Sequence, residues 1–358
     1  MLIGVPKEIK NEEFRVGLTP GTVRTLVQRG HSIIVETNAA HMIGIDDAEF
    51  QAAGASIAGG PNEVFTQADM IIKVKELQAS EFSLLREDQI LFTYLHLAPD
   101  PAQTQALINS GCVAIAYETV TDEHGGLPLL APMSEVAGRM AVQAGANCLE
   151  ISRGGRGMLL GGVPGVKPGK VVVIGGGVVG TNSVFVAKGF GASVTVIDSS
   201  LKRLSELDFL YQSALTTLYS TSDTIENEVL SADLVIGAVL LPGAETPKLV
   251  SREMVSSMRR GSVIVDVAID QGGCCETSRV TTHSDPTYLI DDVVHYCVGN
   301  MPGAVARTST FALNNATLPF IALVAEKGYL EAMRANPHLL AGLNAYNGQL
   351  TYAAVAEA

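Results

Sequence analysis

The sequence predicts an α/β fold with two doubly wound parallel-sheet domains that are joined by long helices. Apolar runs of strand length alternate with helix-like segments along most of the chain, which is the pattern of a sheet layered with helices. These runs are continuously apolar rather than alternating, as in parallel strands that are covered on both faces. Because 358 residues exceed what one compact core usually holds, we expect two domains.

The predicted strands fall into two groups, separated by a stretch near residues 130–168. The first group comprises Met1–Val5, Ser32–Glu36, Met70–Val74, Ile90–Leu95 and Val113–Tyr117. The second group comprises Lys170–Ile174, Ser193–Ile197, Leu234–Val239 and Ser262–Val267. Each group is large enough to form a parallel sheet of its own.

Helix starts are visible between these strands. Thr19 precedes a proline and an apolar stripe, so it predicts an N-cap and a helix that ends at Gly30. Asp100 also precedes a proline and predicts a second start, with a capping box closed by Gln103.

The domain boundary follows from a long helix and a glycine-rich stretch. Ser134 is predicted to cap a helix that runs to about Glu150, and glycines then crowd residues 154–165. A second helical region follows Pro302, and no strand is expected beyond about residue 300. We therefore expect the C-terminal segment to pack back on the first domain. The predicted domains are residues 1–130 completed by 305–358, and residues 131–304.

Composition and charge exclude several classes of partner. The 37 acidic and 24 basic side chains give a net charge of −13, which argues against nucleic acid or an anionic membrane surface. Five cysteines without a CxxC pair indicate free thiols in a reducing compartment and no metal site. The N-terminus lacks the pattern of a secretory signal, and the long uncharged stretches are too polar to span a bilayer. We expect a cytoplasmic protein without a membrane partner.

The strongest motif is a GxGxxG turn that directly follows the strand Lys170–Ile174. Gly175 permits the tight turn, Gly177 lets backbone N–H groups approach a pyrophosphate, and Gly180 allows close packing of helix on strand. The helix N-terminus then faces the phosphate charge. This context predicts that the second domain is a Rossmann domain that binds a dinucleotide.

The residue at the end of the next strand predicts which dinucleotide. Asp198 lies 18 residues after Gly180, where a carboxylate can accept the adenosine ribose hydroxyls. The same carboxylate would repel a 2′-phosphate, and Ser199 and Ser200 supply no compensating cation. The predicted cofactor is therefore NAD rather than NADP. Arg203, one turn further on, is expected to cover the adenine side.

Two later strand ends are expected to complete the nucleotide cleft, because ligands of open α/β sheets bind at the carboxyl ends of strands. One strand ends at Val239 and Leu240, and the other leads into residues 266–273. Asp266 lies inside an apolar run and is expected to be a buried, hydrogen-bonded structural group. Asp270 lies just beyond the run and is the better catalytic candidate.

The first domain places three isolated polar residues in a loop or at strand ends. Arg15 lies in a loop, Lys75 ends one apolar strand and His96 ends the next. Together they supply a carboxylate-binding fork, a cation and a proton carrier, which an amino-acid or oxo-acid site needs. Each also has a structural alternative. Arg15 could form a surface ion pair with Glu12 or Glu13, Lys75 could be a solvated strand end, and His96 could be a helix-capping histidine.

Six stretches of the sequence, taken together with the residues above, identify a family. The sequence resembles the NAD-dependent alanine dehydrogenases of the alanine dehydrogenase/pyridine nucleotide transhydrogenase family over essentially its whole length. Gly176 stands where the family often has alanine, and Cys275 where it often has phenylalanine. The matching stretches are Gly4–Pro20, Lys73–Glu76, Tyr94–Ala98, Pro132–Arg139, Ala268–Gly273 and Asn300–Ala304.

The resemblance implies a reaction and a role for each matching residue. The reaction is oxidative deamination of L-alanine to pyruvate and ammonia, and its reverse, in a homohexamer with the active site between domains. Arg15 would bind the substrate carboxylate, Lys75 the carbonyl or amino group, and His96 would serve as acid and base. Asp270 would handle the water or amine. The implied NAD cleft comprises Ser134, Gly175, Gly177, Val178, Val179, Gly180, Asp198, Arg203, Ser220, Val239, Leu240, Val267, Ala268, Ile269, Asp270, Arg279, Val298, Gly299, Asn300 and Met301.

Three alternatives stay open at this point. The soluble NAD-binding subunit of a proton-translocating transhydrogenase shares the opening motif, but it does not need the constellation of Arg15, Lys75, His96 and Asp270. A relative that acts on lysine and an oxo acid would need a larger pocket, and product analysis would separate it. A non-catalytic NAD-sensing scaffold would bind NAD without turnover of any amino acid.

Overall fold

A computed structural model describes residues 1–239 and 246–352. The chain divides into two compact units, residues 1–133 with the segment from Val305 onward, and residues 134–304. Each unit contains a mostly parallel sheet with helices, so the predicted α/β class with two parallel-sheet domains is confirmed.

The strands and helices are numbered in chain order. The strands are β1 (Leu2–Val5), β2 (Ser32–Glu36), β3 (Ser56–Ala58), β4 (Met70–Ile72), β5 (Ile90–Thr93), β6 (Val113–Ala116), β7 (Lys170–Ile174), β8 (Ser193–Asp198), β9 (Thr216–Tyr219), β10 (Leu234–Gly237), β11 (Val263–Asp266), β12 (Thr287–Ile290), β13 (Val293–Tyr296), β14 (Leu343–Tyr346) and β15 (Gln349–Leu350). The helices are α1 (Pro20–Gln28), α2 (Asp47–Ala52), α3 (Pro61–Gln67), α4 (Pro101–Ser110), α5 (Ala131–Cys148), α6 (Val178–Gly189), α7 (Leu201–Tyr211), α8 (Ser222–Ser231), α9 (Arg252–Ser257), α10 (Ala306–Ala335) and α11 (Pro337–Leu340).

Both sheets repeat one strand order. The first unit has the order β15-β14-β6-β5-β4-β1-β2-β3, and the second has β12-β13-β11-β10-β7-β8-β9. In the first sheet the neighbouring strands β6, β5, β4, β1, β2 and β3 are all parallel. In the second sheet the neighbouring strands β13, β11, β10, β7, β8 and β9 are all parallel. Read from the opposite edge, each parallel part has the doubly wound order 3-2-1-4-5-6. The strand order reverses beside β1 and β4 in one sheet and beside β7 and β10 in the other.

The cores explain why the strands read as continuous apolar runs. Phe65, Leu91 and Leu107 are fully buried in the first unit, and Val172 and Ile264 are fully buried in the second. Side chains on both faces of these parallel strands are covered by helices, so no polar face is needed.

The helix starts were predicted with mixed success. Thr19 caps α1 by accepting the N–H of Thr22, as expected. Asp100 caps α4, but the predicted capping box is wrong, since the Gln103 amide instead donates to the carbonyl of Leu95. Ser134 does not cap α5 because that helix already begins three residues earlier, at Ala131.

The expectation that no strand follows residue 300 is wrong. β14 pairs antiparallel with β6, and β15 pairs with β14. The strand was missed because its four residues include Asn344, a buried polar side chain that donates to the Thr119 hydroxyl and the Gly342 carbonyl. β12 and β13 were missed because Asp291 and Asp292 form their turn with positive φ angles of 50° and 61° and without a glycine signal.

Helix length and polarity also bear on the membrane question. Among residues 1–239 and 246–352, no helix is long and apolar enough to cross a membrane.

Candidate active site

The ends of β4 and β5 bring two sequence-predicted residues together in the first unit. Lys75 follows β4 and His96 follows β5, and these strands are parallel neighbours. The Nζ atom of Lys75 lies 3.3 Å from Nε2 of His96. Lys75 is buried, whereas 44% of the His96 side chain is exposed. A cation and a proton carrier are therefore held in direct contact at one edge of the sheet.

His96 adopts a backbone conformation that is unusual for a residue with a side chain. Its φ angle is 49°, in the left-handed region. This conformation costs free energy for a residue with a side chain, so contacts with its surroundings must offset the cost. The carboxylate of Glu118 accepts the His96 N–H at 2.6 Å and the Leu95 N–H at 3.0 Å. Glu118 belongs to a short 3₁₀ helix, Tyr117–Thr119, directly after β6.

The segment that carries Lys75 is held by a buried charge network. One oxygen of Glu8 accepts the N–H groups of Val74 and Lys75 at 2.6 and 3.3 Å. The Lys73 ammonium lies 3.1 Å from the other oxygen of Glu8 and 2.9 Å from Glu81. Burial raises the pKa of Glu8 despite the opposing Lys73 charge. Burial opposes the charged form of Lys73, but Glu8 and Glu81 raise its pKa.

Arg15 is buried rather than exposed, and its main partner is Glu13. The Nε atom donates to one oxygen of Glu13 at 2.7 Å, and Nη2 donates to the other at 2.5 Å. Nη1 contacts the sulfur of Met133 at 3.1 Å. Burial opposes the Arg15 charge, but the hydrogen bonds and charge of Glu13 raise its pKa. The structural alternative for Arg15 was a surface ion pair with Glu12 or Glu13. Glu13 is indeed the partner, but the pair is buried.

This pairing changes what Arg15 can offer a ligand. The Nε–Nη2 edge of the guanidinium binds Glu13, so the bidentate fork expected for a substrate carboxylate is used within the protein. Nη1 lies on the other side of the guanidinium, beside Met133.

Tyr94 is a buried neighbour of His96. Its ring stacks on the His96 imidazole with centroids 6.0 Å apart, and its hydroxyl donates to the Leu129 carbonyl.

In the second unit the three motif glycines have distinct structural roles. Gly175 has a φ angle of 101°, and a Cβ there would lie 2.7 Å from the Ala238 carbonyl oxygen. A Cβ on Gly180 would overlap the carbonyl oxygen of Gly175. At Gly177 a Cβ would meet no atom of the described residues within 4 Å, and α6 begins there without a side-chain cap. This open helix N-terminus fits phosphate groups.

Asp198 and Arg203 both hold Gly176 of this turn, one through its N–H and the other through its carbonyl. Asp198 accepts the Gly176 N–H at 2.6 Å, and Arg203 Nε donates to the Gly176 carbonyl at 2.6 Å. Arg203 also donates to the Thr181 hydroxyl at 2.5 Å and to Glu206 at 2.6 Å. Arg203 therefore braces the glycine turn. The expectation that it also covers the adenine side stays a prediction. A Cβ on Gly176 would lie 3.2 Å from Asp198 and 3.3 Å from Arg203.

The two acidic residues at and beyond the end of β11 differ as expected. Asp266 is fully buried and accepts the N–H groups of Cys274 and Cys275 and the hydroxyl of Ser278, which confirms its structural role. Asp270 is exposed on the 3₁₀ helix Val267–Gln271.

Other implied cofactor residues lie around these strand ends. A Cβ on Gly299 would lie 3.2 Å from the Asp270 carboxylate, so the loop after β13 passes beside the loop after β11. The exposed Arg279 guanidinium lies 4.4 Å from the Tyr288 ring centroid, and the Ser220 N–H donates to the Asp198 carbonyl at 3.0 Å. Ala268, Ile269, Val298 and Met301 have buried side chains, Ser134, Val179, Val239, Val267 and Asn300 are half-buried, and Val178 is exposed. Leu240 lies outside the described residues.

Sequence reasoning missed Glu8 and Glu118 as carboxylates that hold the predicted residues, and it named Glu13 only beside Glu12 as an ion-pair partner of Arg15. Glu8 and Glu13 lie in the opening loop, and nothing in that polar stretch distinguishes buried from exposed acids. Glu118 could have been found, because it follows a predicted strand in the way that Lys75 and His96 do.

Comparison with known proteins adds a family and close relatives. The profile "Alanine dehydrogenase/PNT, N-terminal domain" matches residues 4–137, and the corresponding C-terminal domain matches residues 141–353. An alanine dehydrogenase of Halomonas elongata is 58% identical over 358 residues, with 100% of this chain and 96% of that protein covered. One of Methanococcus maripaludis is 57% identical with the same coverage.

Solved structures agree in fold. An L-alanine dehydrogenase superposes with a TM-score of 0.97 at 52% identity, covering 100% of this chain and 98% of that one. A transhydrogenase from Sinorhizobium meliloti has a TM-score of 0.86 at 23% identity, covering 98% and 100%. The second similarity establishes a common fold alone.

Proposed function

The chain belongs to the alanine dehydrogenase/PNT family, and we propose that it catalyses the NAD-dependent oxidative deamination of L-alanine to pyruvate and ammonia, and the reverse reductive amination. The observation that carries the proposal is the contact of Lys75 with His96, in the same unit as the buried Arg15. The alternative of a transhydrogenase subunit is less supported, because the relatives above 50% identity are alanine dehydrogenases.

The proposed cofactor fits the residues of the second unit. The open position at Gly177 and the uncapped start of α6 suit a pyrophosphate. Each carboxylate oxygen of Asp198 accepts one backbone N–H, from Gly176 and from Ser200, and keeps a lone pair for a ribose hydroxyl. A 2′-phosphate would meet this negative charge, so we propose NAD rather than NADP. NAD supplies the acceptor for the hydride that leaves the alanine Cα.

The remaining cofactor residues are proposed from the family resemblance. Arg203 would act by bracing the glycine turn, because its guanidinium donates to Gly176 and Thr181. Buried members would contribute backbone groups, whereas Arg279 would contribute its side chain. The proposed set is Ser134, Gly175, Gly177, Val178, Val179, Gly180, Asp198, Arg203, Ser220, Val239, Leu240, Val267, Ala268, Ile269, Asp270, Arg279, Val298, Gly299, Asn300 and Met301.

Substrate orientation is assigned to two cations of the first unit. Arg15, fixed by Glu13, would meet the alanine carboxylate through Nη1 with a charge-assisted hydrogen bond. Lys75 would bind the oxygen that develops on Cα, since an ammonium stabilises negative charge on that atom. The rigid attachment of both residues supports this role, because productive hydride transfer requires the Cα hydrogen in a fixed place.

Proton transfer is assigned to His96 and Asp270. In the oxidative direction, water adds to the imine carbon that hydride loss creates, and His96 would accept the proton of that water. His96 would then return a proton to the amine as ammonia leaves and the carbonyl forms. Asp270, exposed after β11, would orient the water or balance the cationic imine. The net reaction of alanine, NAD⁺ and water yields pyruvate, ammonium, NADH and a proton.

The deciding experiment is a spectrophotometric assay of the purified protein. We expect NADH absorbance at 340 nm to appear when L-alanine is added with NAD, and to disappear when pyruvate and ammonium are added with NADH. L-Lysine with a 2-oxo acid tests the relative with the larger pocket. NAD binding without any amino-acid turnover would replace the proposal with the scaffold alternative. The homohexamer implied by the resemblance and the cytoplasmic location expected from the sequence stay predictions.

A further inference from the structure

Glu118 contacts the proposed acid–base residue in two ways. Its Oε1 accepts the His96 N–H at 2.6 Å and also lies 4.0 Å from Nδ1 of the same residue. The first contact holds the backbone at its φ angle of 49°. The second places a negative charge beside the imidazole nitrogen that faces away from Lys75.

The rest of the imidazole environment makes this second contact informative. Lys75 approaches Nε2 at 3.3 Å, and the Tyr94 ring stacks on one face. The titratable groups of the first unit that lie against this imidazole thus include Lys75, Glu118 and Tyr94. Tyr94 is buried and its pKa is raised, so it stays neutral. The Lys75 charge disfavours an imidazolium and the Glu118 charge favours it.

We propose that Glu118 is a positioning residue for the reaction, which fixes the His96 backbone through its hydrogen bonds and sets the proton affinity of the imidazole through its charge. This inference rests on the proposed role of His96 as acid and base. It assigns Glu118 two separable effects, because a hydrogen-bond acceptor at this position need not be charged.

The direction of the electrostatic effect follows from the charge. At 4 Å, a carboxylate that is partly shielded from solvent stabilises an imidazolium enough to move the pKa by about one unit. Alanine oxidation needs a neutral His96 to accept a proton, so activity rises as the pH passes upward through this pKa. Loss of the Glu118 charge lowers the pKa, and the acid limb of the profile moves to lower pH.

Two substitutions separate the effects. Glu118→Gln keeps an oxygen that can accept the His96 N–H and removes the charge. Glu118→Ala removes both. We expect the Gln variant to shift the acid limb of kcat/KM for alanine down by about one pH unit. We expect the Ala variant to lose activity roughly ten- to a hundredfold across the profile, as a strained backbone loses its support.

Glu87→Gln is the matched control. Glu87 is an exposed glutamate of the same unit, so its substitution changes the net charge equally without approaching His96. Its profile should coincide with that of the wild type. A Gln variant with an unmoved or upward-shifted acid limb overturns the proposal, as does an Ala variant with wild-type activity.

A readout independent of turnover separates this inference from the proposed function. Diethyl pyrocarbonate modifies a histidine only when its imidazole is neutral, and the absorbance of the histidine adduct near 240 nm follows that reaction. The rate assigned to His96 is the difference between a protein and the same protein carrying His96→Ala. We expect its pH midpoint to fall in Glu118→Gln as the kinetic limb does. A shifted midpoint without alanine turnover would support the role of Glu118 and reject the proposed function. Alanine turnover with an unshifted midpoint would support the proposed function and reject the role of Glu118.

Folding of the variants is checked by circular dichroism and thermal unfolding. Should the Ala variant fail to fold, the Gln variant alone still tests the charge. An unchanged chemical-modification midpoint in a folded Gln variant is sufficient to overturn the proposal.

Discussion

The Nζ atom of Lys75 lies 3.3 Å from Nε2 of His96. A lysine ammonium has only donor hydrogens, so Nε2 must be the acceptor in this contact. The neutral imidazole then carries its proton on Nδ1, the nitrogen that lies 4.0 Å from Glu118. One residue therefore presents an acceptor to Lys75 and a donor toward Glu118. The contact with Lys75 therefore selects the tautomer of the neutral imidazole, which is the form that alanine oxidation requires.

His96→Ala should separate proton transfer from cofactor binding. We expect turnover of alanine to fall by about 10²–10⁴-fold, the usual cost of losing a general acid or base. The dissociation constant of NADH should change by no more than a few-fold, since His96 lies in the unit without the glycine turn. Stopped-flow kinetics and NADH fluorescence titration measure the two quantities.

The pH profile provides the control for this prediction. Wild-type alanine oxidation should fail at low pH, where a protonated imidazole cannot accept a proton. The variant should lose that ionisation from its residual profile. A variant that keeps wild-type turnover would leave His96 with the role of closing its strand end.

Arg15→Lys should weaken substrate binding, because a lysine cannot bind both oxygens of Glu13 and still present a fixed donor. We expect the KM values for alanine and pyruvate to rise roughly 10- to 100-fold, the range for one charged hydrogen bond. NADH affinity should stay nearly intact. Arg24→Lys, at an exposed position of α1, is the matched control and should leave both constants unchanged. Unchanged alanine kinetics in Arg15→Lys would assign Arg15 a structural role with Glu13.

The sequence was sufficient to predict the framework of this fold. β2 and β7 have the predicted bounds, because each run is apolar on both faces and begins after a turn. The short strands β3 and β9 were not predicted, since each lies at a sheet edge where partial exposure removes the continuous apolar run.

The candidate site was predictable only where position alone identifies a residue. Lys75 and His96 follow predicted strands, and parallel strands bring their ends together. The partner of Arg15 could not be chosen between Glu12 and Glu13, since two adjacent acids in one loop differ only in the direction that the backbone gives them. Glu12 has a φ angle of 59°. This left-handed conformation turns the chain locally, and no neighbouring glycine in the sequence predicts it.

Asp198 should control cofactor choice and also the shape of the glycine turn. Asp198→Ala removes the acceptor of the Gly176 N–H as well as the repulsive charge, so we expect the KM for NAD to rise roughly 10- to 100-fold. Combining it with Ser199→Arg supplies a cation for a 2′-phosphate. The ratio of kcat/KM for NAD to that for NADP should then fall toward one. Asp208→Ala, exposed on α7, is the control. Equal wild-type efficiency with both cofactors would contradict this account.

Lys73 should contribute to the stability of the first unit. It is fully buried between Glu8 and Glu81, so Lys73→Met leaves two carboxylates without their shared cation. We expect the free energy of unfolding at pH 7 to fall by about 3–5 kcal/mol, the cost of breaking a buried pair. In the wild type the pKa of Lys73 is raised above its unfolded value, so its contribution is complete below about pH 10 and is lost as the pH rises further.

The pH dependence of the Lys73→Met variant tests the cause of its instability. Burial already raises the pKa of Glu8, and loss of Lys73 removes the charge that opposed the rise. A folded state with a raised carboxyl pKa binds more protons than the unfolded chain, so its stability increases as the pH falls through that pKa. The deficit relative to wild type should therefore be smaller at pH 5 than at pH 8. Urea unfolding at one protein concentration measures it, and Lys7→Met, at an exposed position, should change stability by less than about 0.5 kcal/mol. A deficit that is equal at both pH values would trace the loss to packing instead of charge.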